Sequence, residues 1–148
     1  MTPYYNQRGM TLIEILLVVG ILGLILAFGM TVNFSAFTTG TLQGEESKIV
    51  SALERARSHA MANMNQTTYG VCYNVGNYVI FQGDTCPGTG SELISANTNI
   101  AEHSGTVFPT FVFDQLSGNE ITSEDTIIIE DDIKTETITI NNEGIINW

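Results

Sequence analysis

The dominant pattern in the chain is one unbroken apolar run near its start. Sixteen of the 21 residues Met10–Met30 are hydrophobic, and no charge occurs from Ile15 to Gly44. As a helix, such a run would be about 31 Å long at 1.5 Å per residue, which matches the ~30 Å hydrocarbon core of a bilayer. It is apolar on every face, so it does not read as an amphipathic helix lying on a membrane surface. A buried core helix is excluded by mass, because the rest of the chain is too small to wrap it. The pattern therefore predicts a polar segment at 1–9 and a single membrane-spanning helix at 10–30.

Residues 31–44 are rich in Thr, Phe and Gly, show no clear period, and read as a loosened continuation of the helix. Next, Ile49, Leu53, Ala56, Ala60 and Met64 recur at helical spacing. Glu45 and Glu46 suit the opening of that helix and Asn63 and Asn65 its end. Arg55, Arg57 and His59 fall in its middle, with Glu54 placed to pair with Arg57 at i+3 on a solvated face. Residues 31–65 are thus a helix continuation followed by an amphipathic helix.

From residue 66 the period changes to two. Tyr69, Val71, Tyr73 and Val75 alternate with Gly70, Cys72 and Asn74, the pattern of a half-buried strand. Gly76–Asn77 marks a turn and Tyr78–Gln82 the returning strand. Asp84–Ser91 reads as loop. Val107–Asp114 reads as a strand that Pro109 confines to a sheet edge. Thr126–Glu130, Glu136–Ile140 and Gly144–Trp148 read as short strands, with turns at Asp131–Asp132 and Asn141–Asn142. The fold class is α+β: a long apolar N-terminal helix followed by a mainly antiparallel β-sheet domain over 66–148.

Composition sharpens this picture. The 148 residues carry 16 acidic and 5 basic side chains, a net charge of -11, yet 43% of the chain is hydrophobic. That content excludes disorder, and the charge disfavours non-specific nucleic-acid binding, which depends on Lys and Arg. Outside Met10–Met30 the composition is that of an ordinary acidic domain.

Glu14 is the informative exception. It lies inside the apolar run, where an ionisable group costs roughly 2.5–3.5 kcal/mol on insertion scales. An ordinary cleaved secretory signal, with Ala27–Phe28–Gly29 as its small-x-small site, has no use for such a residue. No Lys or Arg lies between Arg8 and Lys48 to pair with it. An amino terminus created by cleavage after Gly9 would supply the missing positive charge.

The string Arg8-Gly9-Met10-Thr11-Leu12-Ile13-Glu14 resembles the class III signal of type IV prepilins. The resemblance implies a pilin-like fold, a leader over 1–9, cleavage between Gly9 and Met10 by prepilin peptidase, N-methylation of Met10, and a role for Glu14 in subunit assembly. In a filament, Glu14 would meet the amino terminus of a neighbouring subunit and set register; a buried pair of this kind serves specificity more than net stability. Two positions depart from the usual pattern. Met10 stands where Phe is commoner, and Thr31 stands where many relatives have Pro. Arg8 before the span and Glu45 and Glu46 after it agree with a cytoplasmic leader and an outer domain.

Ala56-Arg57-Ser58-His59-Ala60 resembles an element of GspH/FimT-type minor pilins and pseudopilins. Phe113-Asp114-Gln115-Leu116-Ser117-Gly118 and Ile138-Thr139-Ile140-Asn141-Asn142-Glu143-Gly144-Ile145 resemble their later strand and last hairpin. The resemblance implies a minor subunit of a type II secretion pseudopilus, held in the bacterial inner membrane by one span and then built into the filament. Its partners would be other pilins or pseudopilins, met through the N-terminal helix, and the peptidase/methyltransferase. The alternative is a minor pilin of a type IV pilus or a DNA-uptake system. From a different class, a membrane-tethered extracytoplasmic enzyme is the remote alternative.

Cys72 and Cys86 are the only cysteines, and an oxidising compartment would permit a disulfide between them. Two Cys and two distant His lack zinc spacing. Glu130, Asp131 and Asp132 offer the oxygen ligands of a calcium site but not its spaced loop, so solvated turns are the better reading. Lys48, Arg55, Arg57 and Lys134 are the only cations beyond the span, too few for direct nucleic-acid binding. No nucleophile–base pair, phosphate-cradling loop or HExxH is present: Ser58 and His59 are adjacent and do not face each other, and His103 falls in a loop. The chain reads as non-enzymatic, with no cofactor.

Overall fold

The computed structural model describes residues 11–29, 34–122 and 126–148, without the side chains of residues 28, 29 and 34–40. Gly9, Met10 and Thr31 lie outside the described residues. The chain divides after Phe34 into two compact units.

The first unit holds helix α1, Leu12–Gly29. The Thr11 carbonyl accepts from the backbone N–H of Glu14 at 3.0 Å and of Ile15 at 3.3 Å, which closes the first turn. Leu12, Ile13, Leu16 and Leu26 are each more than 60% exposed, so the helix presents apolar side chains all round. Its 18 residues are about 27 Å long, shorter than the run that defines it because both ends of that run are undescribed. Among the described residues, no helix is long and apolar enough to cross a membrane.

The second unit is built on helix α2, which spans Phe34–Met61 and lies in this unit from Ser35 onward. The irregular composition of 34–44 does not break it. Leu42, Ile49, Leu53, Ala56 and Ala60 are all fully buried, spaced three, four or seven residues apart along one stripe. Glu45 and Glu46 therefore do not open a helix, as the sequence predicts, but lie within one. The helix also ends earlier than predicted. Asn63 has φ 53° and stops it in the left-handed conformation that Asn tolerates. Met64 falls in a short 3-10 turn, Met64–Gln66, and is exposed.

Two antiparallel sheets follow. The first contains β1 (Tyr69–Asn74), β2 (Asn77–Gln82), β3 (Thr89–Ser95) and β4 (Phe111–Phe113), in the order β3-β2-β1-β4. The second contains β5 (Thr126–Glu130), β6 (Thr135–Ile140) and β7 (Ile146–Asn147), in that order. A four-residue helix, α3 (Thr98–Ala101), lies between β3 and β4. Ile127, Ile129, Ile138 and Ile140 face inward and join Tyr69, Val71, Ile80, Phe111 and Phe113 in one core with the α2 stripe.

Several strand predictions need correction. Strand β1 is not half-buried: Tyr69 to Cys72 are all buried, because the second face of the sheet carries its own small core of Cys72, Val79, Phe81 and Val112. Gly70 makes this possible. It pairs with Phe81 across the ladder, and an added Cβ would come within 2.5 Å of the Phe81 ring and of the Phe111 carbonyl. The aromatic ring thus occupies the space that glycine leaves. Val75 is not in the strand but in the two-residue turn Val75–Gly76, where both φ angles are positive. Residues Thr89–Ser91, predicted as loop, begin β3. Val107 makes a single bridge to Ile128, and β4 starts only after Pro109, as an edge strand. The last strand is reduced to Ile146–Asn147.

Candidate functional site

The resemblance noted in the sequence leads to an expectation of processing at Gly9 and Met10 and of an assembly role for Glu14. Gly9 and Met10 lie outside the described residues. Glu14 sits in the first turn of α1, where a carboxylate is favoured by the unpaired N–H groups of a helix start. Among the described residues it makes no ion pair, and every neighbour from Leu12 to Leu17 is apolar.

The other candidates are distributed over the second unit. Cys72 and Cys86 form a disulfide with Cα atoms 6.3 Å apart. It joins β1 to the loop after β2 and brings Cys86 onto the small core, so the loop covers the outer face of the sheet. Glu130, Asp131 and Asp132 are not gathered round a common point. Asp131 instead accepts from the backbone N–H of Ile133 (2.8 Å) and Lys134 (2.7 Å), closing the β5–β6 turn. Among the described residues no group of three His, Cys, Asp or Glu side chains is placed to hold a metal ion.

The histidines do not come together either. His59 packs edge-on against Tyr69, with ring centroids 5.2 Å apart. His103, just past α3, lies 3.4 Å from Asp132 at the rim of a cleft of about 250 Å³ shared with Asn97, Asn99 and Ile100. None of these arrangements pairs a nucleophile with a base.

All four cations of the second unit are engaged. Lys48 bonds to Glu45 at 2.8 Å, Arg55 to Glu92, and Lys134 to Glu136. Arg57 does not pair with Glu54 as the helical spacing predicts. It donates to the carbonyls of Gly118 (3.2 Å) and Glu143 (2.8 Å), tying α2 to two loops more than 60 residues away. The close approach of Gly118 and Gly144 brings both carbonyls within its reach.

One residue escaped the sequence reading. Glu45 is only 2% exposed and is the single buried charged side chain among the described residues. It accepts from the Asn97 backbone N–H at 2.7 Å as well as from Lys48. It lies four residues before Ile49 on the apolar stripe, and that register was the available signal. Next to it lies the hydroxyl of Tyr78, a residue only 1% exposed. Burial, reinforced by the Glu45 charge, pushes the Tyr78 pKa well above its ordinary value.

Residues 4–30 match the family described as the prokaryotic N-terminal methylation motif. The match covers 27 of the 148 residues and so describes the N-terminal segment alone. No curated protein matches the chain, and no solved structure does.

Proposed function

From a pilin-like chain with a prepilin processing motif, we propose a non-enzymatic minor subunit of a type II secretion pseudopilus, of the GspH/FimT kind. The leader 1–9 is removed after Gly9, and Met10 is N-methylated. The segment 10–30 anchors the protein by a single span in the inner membrane, with the second unit outside. It then packs against the same helices of other subunits, with Glu14 facing a neighbouring amino terminus.

One observation carries this reading: the methylation motif runs directly into α1, whose exposed apolar surface is interrupted, among the described side chains, only by Glu14. Such a helix is stable only in lipid or against like helices. The engaged state of Lys48, Arg55, Arg57 and Lys134 supports a secretion filament over DNA uptake, since phosphate binding needs cations that are free to meet it.

The test is the mass of the protein purified from its own cells. It should lack nine residues and carry one additional methyl group on Met10. Gly9→Val should leave the full precursor in the membrane. A mature form that starts elsewhere, or normal processing of the Gly9→Val variant, overturns the reading. Deletion should impair export of folded hydrolases; intact export with lost DNA uptake would instead assign the chain to a competence pilus.

A further inference from the structure

We propose that the outer edge of β3 is a self-association surface, on which a second copy of this chain adds its own β3 antiparallel to form one continuous sheet. This goes beyond the filament reading, which places subunit contact in the N-terminal helix.

The order β3-β2-β1-β4 leaves β3 at an edge, and six of its seven residues are exposed. The hydrogen-bond parity of the sheet fixes which groups point outward. The turn Val75–Gly76 closes on the pair Asn74–Asn77, so Asn77 and Val79 bond to β1, and Tyr78 and Ile80 bond to β3. The Ala96 N–H donating to the Gly76 carbonyl at 3.0 Å continues the same alternation. Leu93 and Ser95 consequently direct their backbone N–H and C=O groups away from the sheet. The Ser95 carbonyl already accepts from Lys48 at 3.3 Å, in keeping with its outward direction, while the Leu93 groups have no partner among the described residues.

Natural proteins blunt such edges with proline, outward lysines or short strands. This one has a register shift against β2 near its start, between the pairs Gln82–Thr89 and Ile80–Glu92; beyond it Glu92–Ser95 runs in regular register, contains no Pro or Lys, and exposes Leu93 at 63%.

Charge selects the occupant. The protein is strongly acidic, with a net charge of -11, so two copies repel each other unless they meet where charge is locally balanced. At β3 the balance is local neutrality, because Arg55 pairs with Glu92 and Lys48 with Glu45. A two-fold axis through Leu93 places the two Leu93 side chains opposite each other, about 5.5 Å apart at Cα. It sets the two Glu92 carboxylates on a diagonal about 7–8 Å apart, each with an Arg55 beside it. At Leu93 the edge is therefore complementary to itself in hydrogen bonding, apolar surface and charge. A single added strand lies at the small end of protein interfaces, so the contact forms where tethering raises the local concentration.

The test uses the full chain in mild detergent, with Leu93→Cys as the probe and Val75→Cys, in the exposed hairpin turn, as control. A Cα separation of about 5.5 Å suits a disulfide, so mild oxidation should link Leu93→Cys into a dimer at least fivefold more than Val75→Cys. Helix-driven association in the micelle raises both alike and cannot produce the difference. Adding Ser95→Pro removes an outward donor without touching the β2 ladder and should cut the cross-link several-fold, with the Cys72–Cys86 bond retained. Adding Arg55→Glu makes the edge acidic; the yield should fall at low salt and recover at high salt. Equal cross-linking at Leu93→Cys and Val75→Cys, or a yield indifferent to Arg55→Glu, overturns the proposal. Gly9→Val should leave the cross-link intact, which separates this contact from the processing and assembly reading.

Discussion

Replacing Glu45 by Ala should destabilise the second unit more than any exposed acidic substitution, although Glu45 belongs to a run of polar residues. The carboxylate is 2% exposed and accepts from the Asn97 N–H at 2.7 Å. A hydrogen bond to a buried charge is worth about 1.5–3 kcal/mol, and its loss leaves the amide unsatisfied. The Lys48 contact adds at most about 1 kcal/mol, because Lys48 is largely solvated. The sum is about 2–4 kcal/mol. At about 4 °C per kcal/mol for a unit of this size, the Tm should fall by about 8–16 °C. Glu45→Gln keeps an acceptor for Asn97 and loses only the charge, so its loss should be less than half as large. Thermal unfolding of the full chain in mild detergent, followed by tyrosine near-ultraviolet circular dichroism, measures both variants. An Ala variant within about 2 °C of the parent, against the fall expected, would refute the anchoring role, and equal loss in Gln and Ala would refute the hydrogen-bond argument.

Three further outcomes follow from the geometry. Val75→Asn should raise stability by about 1 kcal/mol, since a β-branched residue is costly at φ 43° and Asn tolerates that region; urea unfolding checks the sign. Breaking the Cys72–Cys86 bond by a double Ser substitution should cost about 3 kcal/mol in the chain-entropy account of a loop this long, and a retained urea midpoint would contradict it. The Glu46 carboxyl is held above its ordinary value, first by burial and then by Glu136, with Lys134 opposing. Because the folded state binds that proton more tightly, the stability from protonated Glu46 is present below the ordinary carboxylate pKa and lost as pH rises through the raised one. Glu46→Gln should therefore raise the Tm at pH 7 and give no gain near pH 3, and a gain equal at both would exclude the effect.

The N-terminal segment and the periodic stretches were legible because their signal is local. An uncharged run containing one Glu declares itself without reference to the rest of the chain, and the family match over residues 4–30 falls on the same residues. The α2 stripe from Ile49 to Ala60 and the alternation in β5 and β6 follow from the 3.6 and 2.0 periods of helix and strand. Tertiary structure decided what depends on distant partners. Glu45 is buried because α2 continues back to Phe34 and the Asn97 amide meets its carboxylate there. Arg57 prefers two loop carbonyls to Glu54 because Gly118 and Gly144 let those loops close on it. Strand β3 forms because β2 offers it a ladder, and Cys72 is buried because the disulfide brings its loop across the sheet. Local sequence sets the period and the solvent preference of each segment. The partner of a hydrogen-bonding or charged group is set by which segments fold beside it.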